Sequence, residues 1–232
     1  MLIVSSKWNR LFRFYEVDHI FHFSVVKGKV PDMRKDAAEN RKALVEAATS
    51  LIAQMGPEVS LRTIAKEAEV GVATASRHFP TKDDLYRAVL ENIIDKMRAI
   101  VDKHVPRLPG APEATWRCAI TEMVDNGFPA VGQEFLPVFA PHMGQEERNI
   151  LIEKVKALYG PLLTEAKKYG LCPGDLDVPD FHFGIITLSR PLPTIAEEVF
   201  ARSRGWLVDV FIDGLRAQAE GSQSNHSQST IV

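Results

Sequence analysis

The chain has 232 residues, 45% of them hydrophobic and 25% charged, with a formal net charge of −2. That length holds one domain or two modest ones, each able to bury a core, and the composition is an ordinary soluble balance. Two cysteines, Cys118 and Cys172, are too few for a disulfide framework and lack metal-ligand spacing, so a reducing, cytoplasmic setting is expected. The charge is uneven. Residues 33–104 carry 12 Lys/Arg against 11 Asp/Glu, and residues 105–232 carry 11 against 16. Any polyanion would therefore be received by the first half.

Residues 1–32, "MLIVSSKWNRLFRFYEVDHIFHFSVVKGKVPD", do not match the pattern of the remaining chain. Arg13, Glu16, Asp18 and His19 interrupt the apolar run, which excludes a signal peptide and a membrane span. Two readings stay open: an N-terminal arm, or sequence upstream of the true start, with Met33 opening the protein.

From residue 35 the pattern is helical. Leu44, Ala47, Ala48, Leu51, Ile52 and Met55 share one face, and Gly56 and Pro57 end the helix. Ser60 is a natural N-cap for a second segment with Leu61, Ile64, Ala65 and Ala68 as its stripe. After a break at Glu69–Gly71 a short helix runs over 72–79, ended by Pro80. Thr81 with Asp84 is a capping-box pattern that opens a long helix to Pro106, with Leu85, Val89, Ile93, Met97 and Ile100 along one side. "PRLPGAPEA" (106–114) reads as a linker. Further helices are expected near 112–126, 131–140, 145–169, 179–189 and 193–219. Residues 221–232, "GSQSNHSQSTIV", read as a disordered polar tail. No run alternates long enough to demand a strand, so the fold class is all-α.

Two short helices joined by a three- or four-residue turn and preceded by a longer helix form a helix-turn-helix. A helix entering a major groove about 12 Å wide cannot be bulky everywhere on its exposed side. Gly71, Ala73 and Ala75 would give clearance, while Thr74, Ser76, Arg77 and His78 offer donors. Lys82 opposes the dipole of the helix it starts, which makes sense if a phosphate lies there. The alternative, a hydrolytic trio of Ser76, His78 and Asp83, fails on geometry, because residues two apart on a helix point to different faces.

The stretch "SLRTIAKEAEVGVATASRHFPTKDDLYRAVL" (60–90), with the helix and Gly56 before it, resembles the DNA-binding domain of TetR-family transcriptional regulators. The likeness covers about residues 37–97, and "HFPTKDDLY" with "IAKEAEV" is its most specific part. The resemblance implies an N-terminal three-helix DNA-binding domain (33–80), a linker helix (81–105) and a C-terminal helical domain (106–220) that binds a small effector and forms a homodimer. It also implies DNA contacts from Ser60, Arg62, Thr63, Val72, Ala73, Thr74, Ser76, Arg77, His78 and Lys82. The sequence departs from the family's pattern in three places: Glu69 stands where Gly is usual, Ala75 where a large aliphatic is, and Ser76 where a Tyr is. A non-Gly residue forced to positive φ at position 69 would cost on the order of 1 kcal/mol, so a slightly reshaped turn is expected.

Other residues carry two readings each. Arg34, Lys35 and Arg41 are a solvated face or a DNA-backbone arm. Trp116, Met123, Phe128, Phe135, Phe139, His142, Met143 and Phe183 are bundle core or an effector pocket. Ile152, Val155, Leu158 and Leu162, with Val199, Trp206, Val210 and Phe211, pack internally or form a four-helix dimer interface. Cys118 and Cys172 read as buried spectators. His142 and His182 have no ligand spacing, so no metal is expected, nor any cofactor. The functional expectation is a dimeric repressor, not an enzyme, with double-stranded inverted-repeat DNA and a small effector as partners and no membrane. The alternative is a helical ligand-binding or interaction module, or an enzyme, with a vestigial helix-turn-helix.

Overall fold

The computed structural model describes residues 33–190 and 194–228, and every regular element among them is helical. In chain order these are α1 (Met33–Met55), α2 (Leu61–Glu67), α3 (Val72–His78), α4 (Lys82–His104), α5 (Pro112–Asp125), α6 (Phe128–Phe139), α7 (Gln145–Lys168), α8 (Val178–Leu188) and α9 (Thr194–Gln228). The 1–32 stretch and its two readings lie outside the described residues.

Local chemistry sets the boundaries. Gly56, at φ +82°, ends α1 and donates its N–H to the Ile52 carbonyl at 2.9 Å. Thr81 and Asp84 close the capping box that starts α4: each backbone N–H donates to the other's side-chain oxygen, at 3.2 and 3.1 Å. Gly127 takes the left-handed conformation, and Pro129 lies within the first turn of α6, so that helix starts three residues earlier than its periodicity suggested. Asp177, missed as a cap, accepts the Asp180 N–H at 2.8 Å and opens α8.

α4 is the axis of the molecule, packing against α1, α5, α6 and α7. Its stripe of Leu85, Val89, Ile93, Met97 and Ile100 is buried as the periodicity demands. A single core runs from Leu44 in α1 to Leu215 in α9, so the first three helices and the last five share α4. Fully burying one aliphatic of this kind contributes about 1.5–3 kcal/mol. Three expectations are corrected. Met55, at the last turn of α1, is exposed instead of buried. The 106–114 stretch is no slack linker: a 3-10 turn at Val105–Arg107 leads into a corner that buries Leu108, and Thr115 Oγ1 donates to the Arg107 carbonyl. Residues 221–228, read as tail, continue α9, since Ala217, Ala219 and Glu220 favour helix and no proline comes after them to stop it.

Candidate nucleic-acid interface

The reading unit consists of α2, its turn and α3. Ser60, in extended backbone, caps α2 by accepting the Thr63 N–H at 3.1 Å, and the two hydroxyls lie 2.8 Å apart. At the turn, Glu69 stands at φ 55°, the only non-glycine with positive φ among the described residues. The turn therefore keeps its left-handed geometry and strains Glu69 to do so, in place of the reshaping expected from sequence. The Val70 N–H then donates to the Ala65 carbonyl at 2.9 Å, and α3 starts after Gly71.

α3 divides into an inward and an outward side. Ala75 and the Phe79 next after the helix are buried with Ile64 and Ala65 of α2. Ala75 thus serves packing, not the groove clearance read from its size. Val72, 46% exposed, with Ala73, Ser76 and Arg77, faces outward, while Thr74 and His78 are half-buried. The His78 ring lies tilted against Phe79 with centroids 6.4 Å apart. The Ser76, His78 and Asp83 trio is not assembled: Asp83 instead pairs with His142, Nδ1 to Oδ1 at 3.1 Å.

Among the described residues Arg62 and Arg77 have no ion-pair partner, and both are exposed. Lys82, the first residue of α4, is half-exposed and holds Glu58 at 3.0 Å. Arg41 of α1 places its guanidinium 5.1 Å from the Phe79 ring centroid, bracing the end of α3 from the side. The side chains of Arg34 and Lys35 fall outside the described residues; their backbone forms the first turn of α1. Glu58 escaped the sequence reading because it lies in a loop without periodicity.

The eight residues read as bundle core or an effector pocket divide between buried, half-buried and exposed positions. Trp116, stacked on Phe181 at 5.6 Å, and Phe135 and Phe139, both against Tyr86, are core, as are Met123 and Met143. His142 is exposed, Phe183 is 65% exposed, and Phe128 is half-buried beneath the Lys96 ammonium at 4.5 Å. Large aromatics fill space before they line it, which is why a list of bulky residues selects core. A cavity of about 370 Å³ has Phe128 in its wall, and a smaller one of about 70 Å³ lies between α4, α6, α7 and α8, with Tyr159 and His182 in its wall.

The dimer residues divide as well. Leu158 and Leu162 of α7 are fully committed to the core, and Val155 lines that cavity. Ile152 is exposed. On α9, Trp206 is 63% exposed, Val210 is exposed, and Phe211 is half-buried against Phe181; the Val199 side chain lies outside the described residues. Outward apolar groups thus fall on α7 (Ile150, Ile152), α8 (Phe183) and α9 (Trp206, Leu207, Val210). Cys118, expected buried, is exposed on α5; Cys172 is buried, which pushes its thiol up to about 11. Among the described residues no cluster of His, Cys, Asp and Glu could hold a metal, and no helix is long and apolar enough to cross a membrane.

Comparison with known proteins agrees with this geometry. The family of bacterial regulatory proteins designated tetR matches residues 44–89. An HTH-type transcriptional regulator of Staphylococcus aureus (strain USA300) is 44% identical over 64 residues, which is 27% of this chain and 35% of that regulator's length. A solved TetR transcription regulatory protein from Mycobacterium vanbaalenii is 30% identical, with a TM-score of 0.52, over 79% of this chain and 99% of the other. A TetR transcriptional regulator from Streptomyces coelicolor, 23% identical with a TM-score of 0.52 over 76% and 98%, shares the fold.

Proposed function

Given that this chain belongs to the TetR family of transcriptional regulators, we propose that it is a ligand-responsive repressor binding an inverted-repeat operator as a homodimer. One observation carries the reading: α3 is anchored on its inner side by Ala75 and leaves Val72, Ala73, Ser76 and Arg77 free on its outer side. A rigid helix with small outward residues and an unpaired cation is suited to a major groove.

Arg77 is assigned to base edges or the adjacent phosphate, with Val72, Ala73 and Ser76 in van der Waals reach of the groove. Thr74 and His78, half-buried, flank that surface. Ser60, Arg62 and Thr63 at the start of α2, and Lys82 at the start of α4, take the flanking phosphates, which fix register and not sequence. Arg41, braced on Phe79, extends this backbone contact, and Arg34 and Lys35 belong to the same arm. A single head reads few base pairs, so affinity requires two heads about one helical turn of DNA apart. The outward apolar groups of α8 and α9 supply the contact between protomers.

The effector acts by favouring a dimer geometry in which the two heads no longer match the operator, a population shift transmitted along α4. In this role the protein works in the cytoplasm, needs no cofactor and catalyses no reaction. Sequencing DNA that co-purifies with the protein identifies the operator, and anisotropy titrations on it test the assignment. The Arg77→Ala/Lys82→Ala protein is expected to lose operator binding while remaining dimeric by light scattering; retained affinity would sink the reading.

A further inference from the structure

The cavity between α4, α6, α7 and α8 has an unusual wall. Leu90, Ile93 and Met97 of α4 and Leu136 of α6 are typical of it, and no Asp, Glu, Lys or Arg lines it. Its polar groups are the Gln133 amide, the Tyr159 hydroxyl and the His182 imidazole. Tyr159 and His182 face each other, hydroxyl to Nδ1 at 3.3 Å, with ring centroids 5.4 Å apart. Burial raises the phenol pKa and lowers that of the imidazole, so both are neutral at physiological pH.

A charged ligand would have to leave its hydration behind and find no countercharge here, a penalty that a pair of neutral dipoles cannot offset. An uncharged ligand loses little on entry, and its apolar body replaces no water that the aliphatic wall held well. The phenol and the imidazole can each donate or accept, so together they suit one hydroxyl or carbonyl group on the ligand. Gly132 of α6 also lines the space. It is buried, yet a Cβ built on it meets nothing within 4 Å, so its side-chain direction opens into the cavity.

We propose that the effector of this protein is a small uncharged molecule, mainly apolar, bearing one alcohol or carbonyl group held by Tyr159 and His182. The inference rests on this cavity being the effector site of the proposed regulator. A ligand bulkier than this space must push against its lining, which includes Leu90, Ile93 and Met97 of α4, the helix that follows the reading head.

The test is a thermal-shift and calorimetric titration of the full chain with cyclopentanol, cyclohexanol and benzyl alcohol, against cyclopentanecarboxylate and cyclopentylammonium. The neutral alcohols are expected to raise the melting temperature by mass action, and the charged isosteres to bind at least about tenfold more weakly. Gly132→Leu, filling the cavity, is expected to abolish the alcohol response while keeping native helical circular dichroism. Tyr159→Phe is expected to weaken the alcohols but not cyclopentane. Equal response to the charged isosteres, no response to any alcohol, or a response that survives Gly132→Leu with native helicity would overturn the proposal. If Gly132→Leu fails to fold, Gly132→Ala with a reduced response serves the same purpose, and an unreduced one counts against it. None of these readouts uses DNA. Operator binding that persists without a ligand response therefore defeats this inference alone, whereas absent operator binding defeats the regulator reading.

Discussion

Tyr86 joins the two halves of the molecule through Phe135: their rings stack with centroids 5.0 Å apart, while the Tyr86 hydroxyl donates to the Pro57 carbonyl at 2.7 Å. One side chain of α4 thereby touches α6 and the turn between α1 and α2. Along the same helix Asp83, Arg87 and Glu91, each four residues from the next, reach His142, just before α7, and Glu147 and Lys154 of α7. These surface pairs each contribute little; two of them join α4 to α7 and one joins it to the turn before α7. Removing the Tyr86 hydroxyl in Tyr86→Phe should cost about 1 kcal/mol, and Tyr86→Ala about 3–5 kcal/mol, by urea denaturation. If Tyr86→Ala cost no more than Tyr86→Phe, the ring would have no part in joining the halves.

In the proposed complex Glu58 competes with DNA for Lys82. The pair at 3.0 Å must open before the ammonium can meet a phosphate, and the carboxylate then remains close to the backbone it repels. Glu58→Gln is therefore expected to tighten operator binding several-fold and to steepen its salt dependence, since Lys82 then releases a counterion fully. Anisotropy at about 50–200 mM salt measures both. A weaker complex in the variant would mean that Glu58 positions Lys82 instead of occupying it.

Glu69 is strained at φ 55°. Glycine adopts that conformation freely, though it loses more entropy on folding. The two effects leave Glu69→Gly about 0.5–1 kcal/mol more stable, whereas a β-branched Glu69→Val should be destabilised by a similar amount or more. Chemical denaturation of the two variants checks the sign of each.

Gly184 is needed where α8 crosses α9. A Cβ there would stand 2.7 Å from Cζ of Phe211, inside van der Waals contact. Gly184→Ala should cost about 1–3 kcal/mol, and trimming the ring in Gly184→Ala/Phe211→Leu should recover part of it. A double variant no more stable than the single one would place the strain elsewhere.

Acid should loosen the fold through His182. Burial holds its imidazole below the ordinary 6.5, so between those values the unfolded chain takes up a proton that the folded one refuses. Its contribution to stability is therefore full above about pH 6.5 and falls as pH drops below it. Melting temperatures measured from neutral pH down through this range should decline, and less steeply in His182→Gln. Equal slopes in both proteins would assign the decline to other groups. The Glu122 carboxylate, held low by its hydrogen bonds from Lys103 and His104, affects stability only nearer pH 4.5 and below.

The helices, their caps and the reading unit were legible in the chain because each depends on residues within a turn or two of one another. Ser60, Gly56 and the Thr81–Asp84 box act over three or four residues, and the stripes of α1 and α4 recur at steps of one to four, so their order along the chain is enough. The turn at Glu69 was the exception: the sequence led to an expected reshaping, whereas the packing of α2 against α3 holds the left-handed geometry and strains Glu69 at φ 55°. What lines the cavity and what faces outward had no such local rule. Tyr159 and His182 meet from positions 23 residues apart on two helices, Lys82 meets Glu58 with α2 and α3 between them in the chain, and Leu158 and Trp206 look alike in sequence although one is buried and the other exposed. A side chain's hydrophobicity says only that it should leave water. Which helix of the chain covers it, and whether any does, is set by how the other helices pack around α4, and only the tertiary structure decides that.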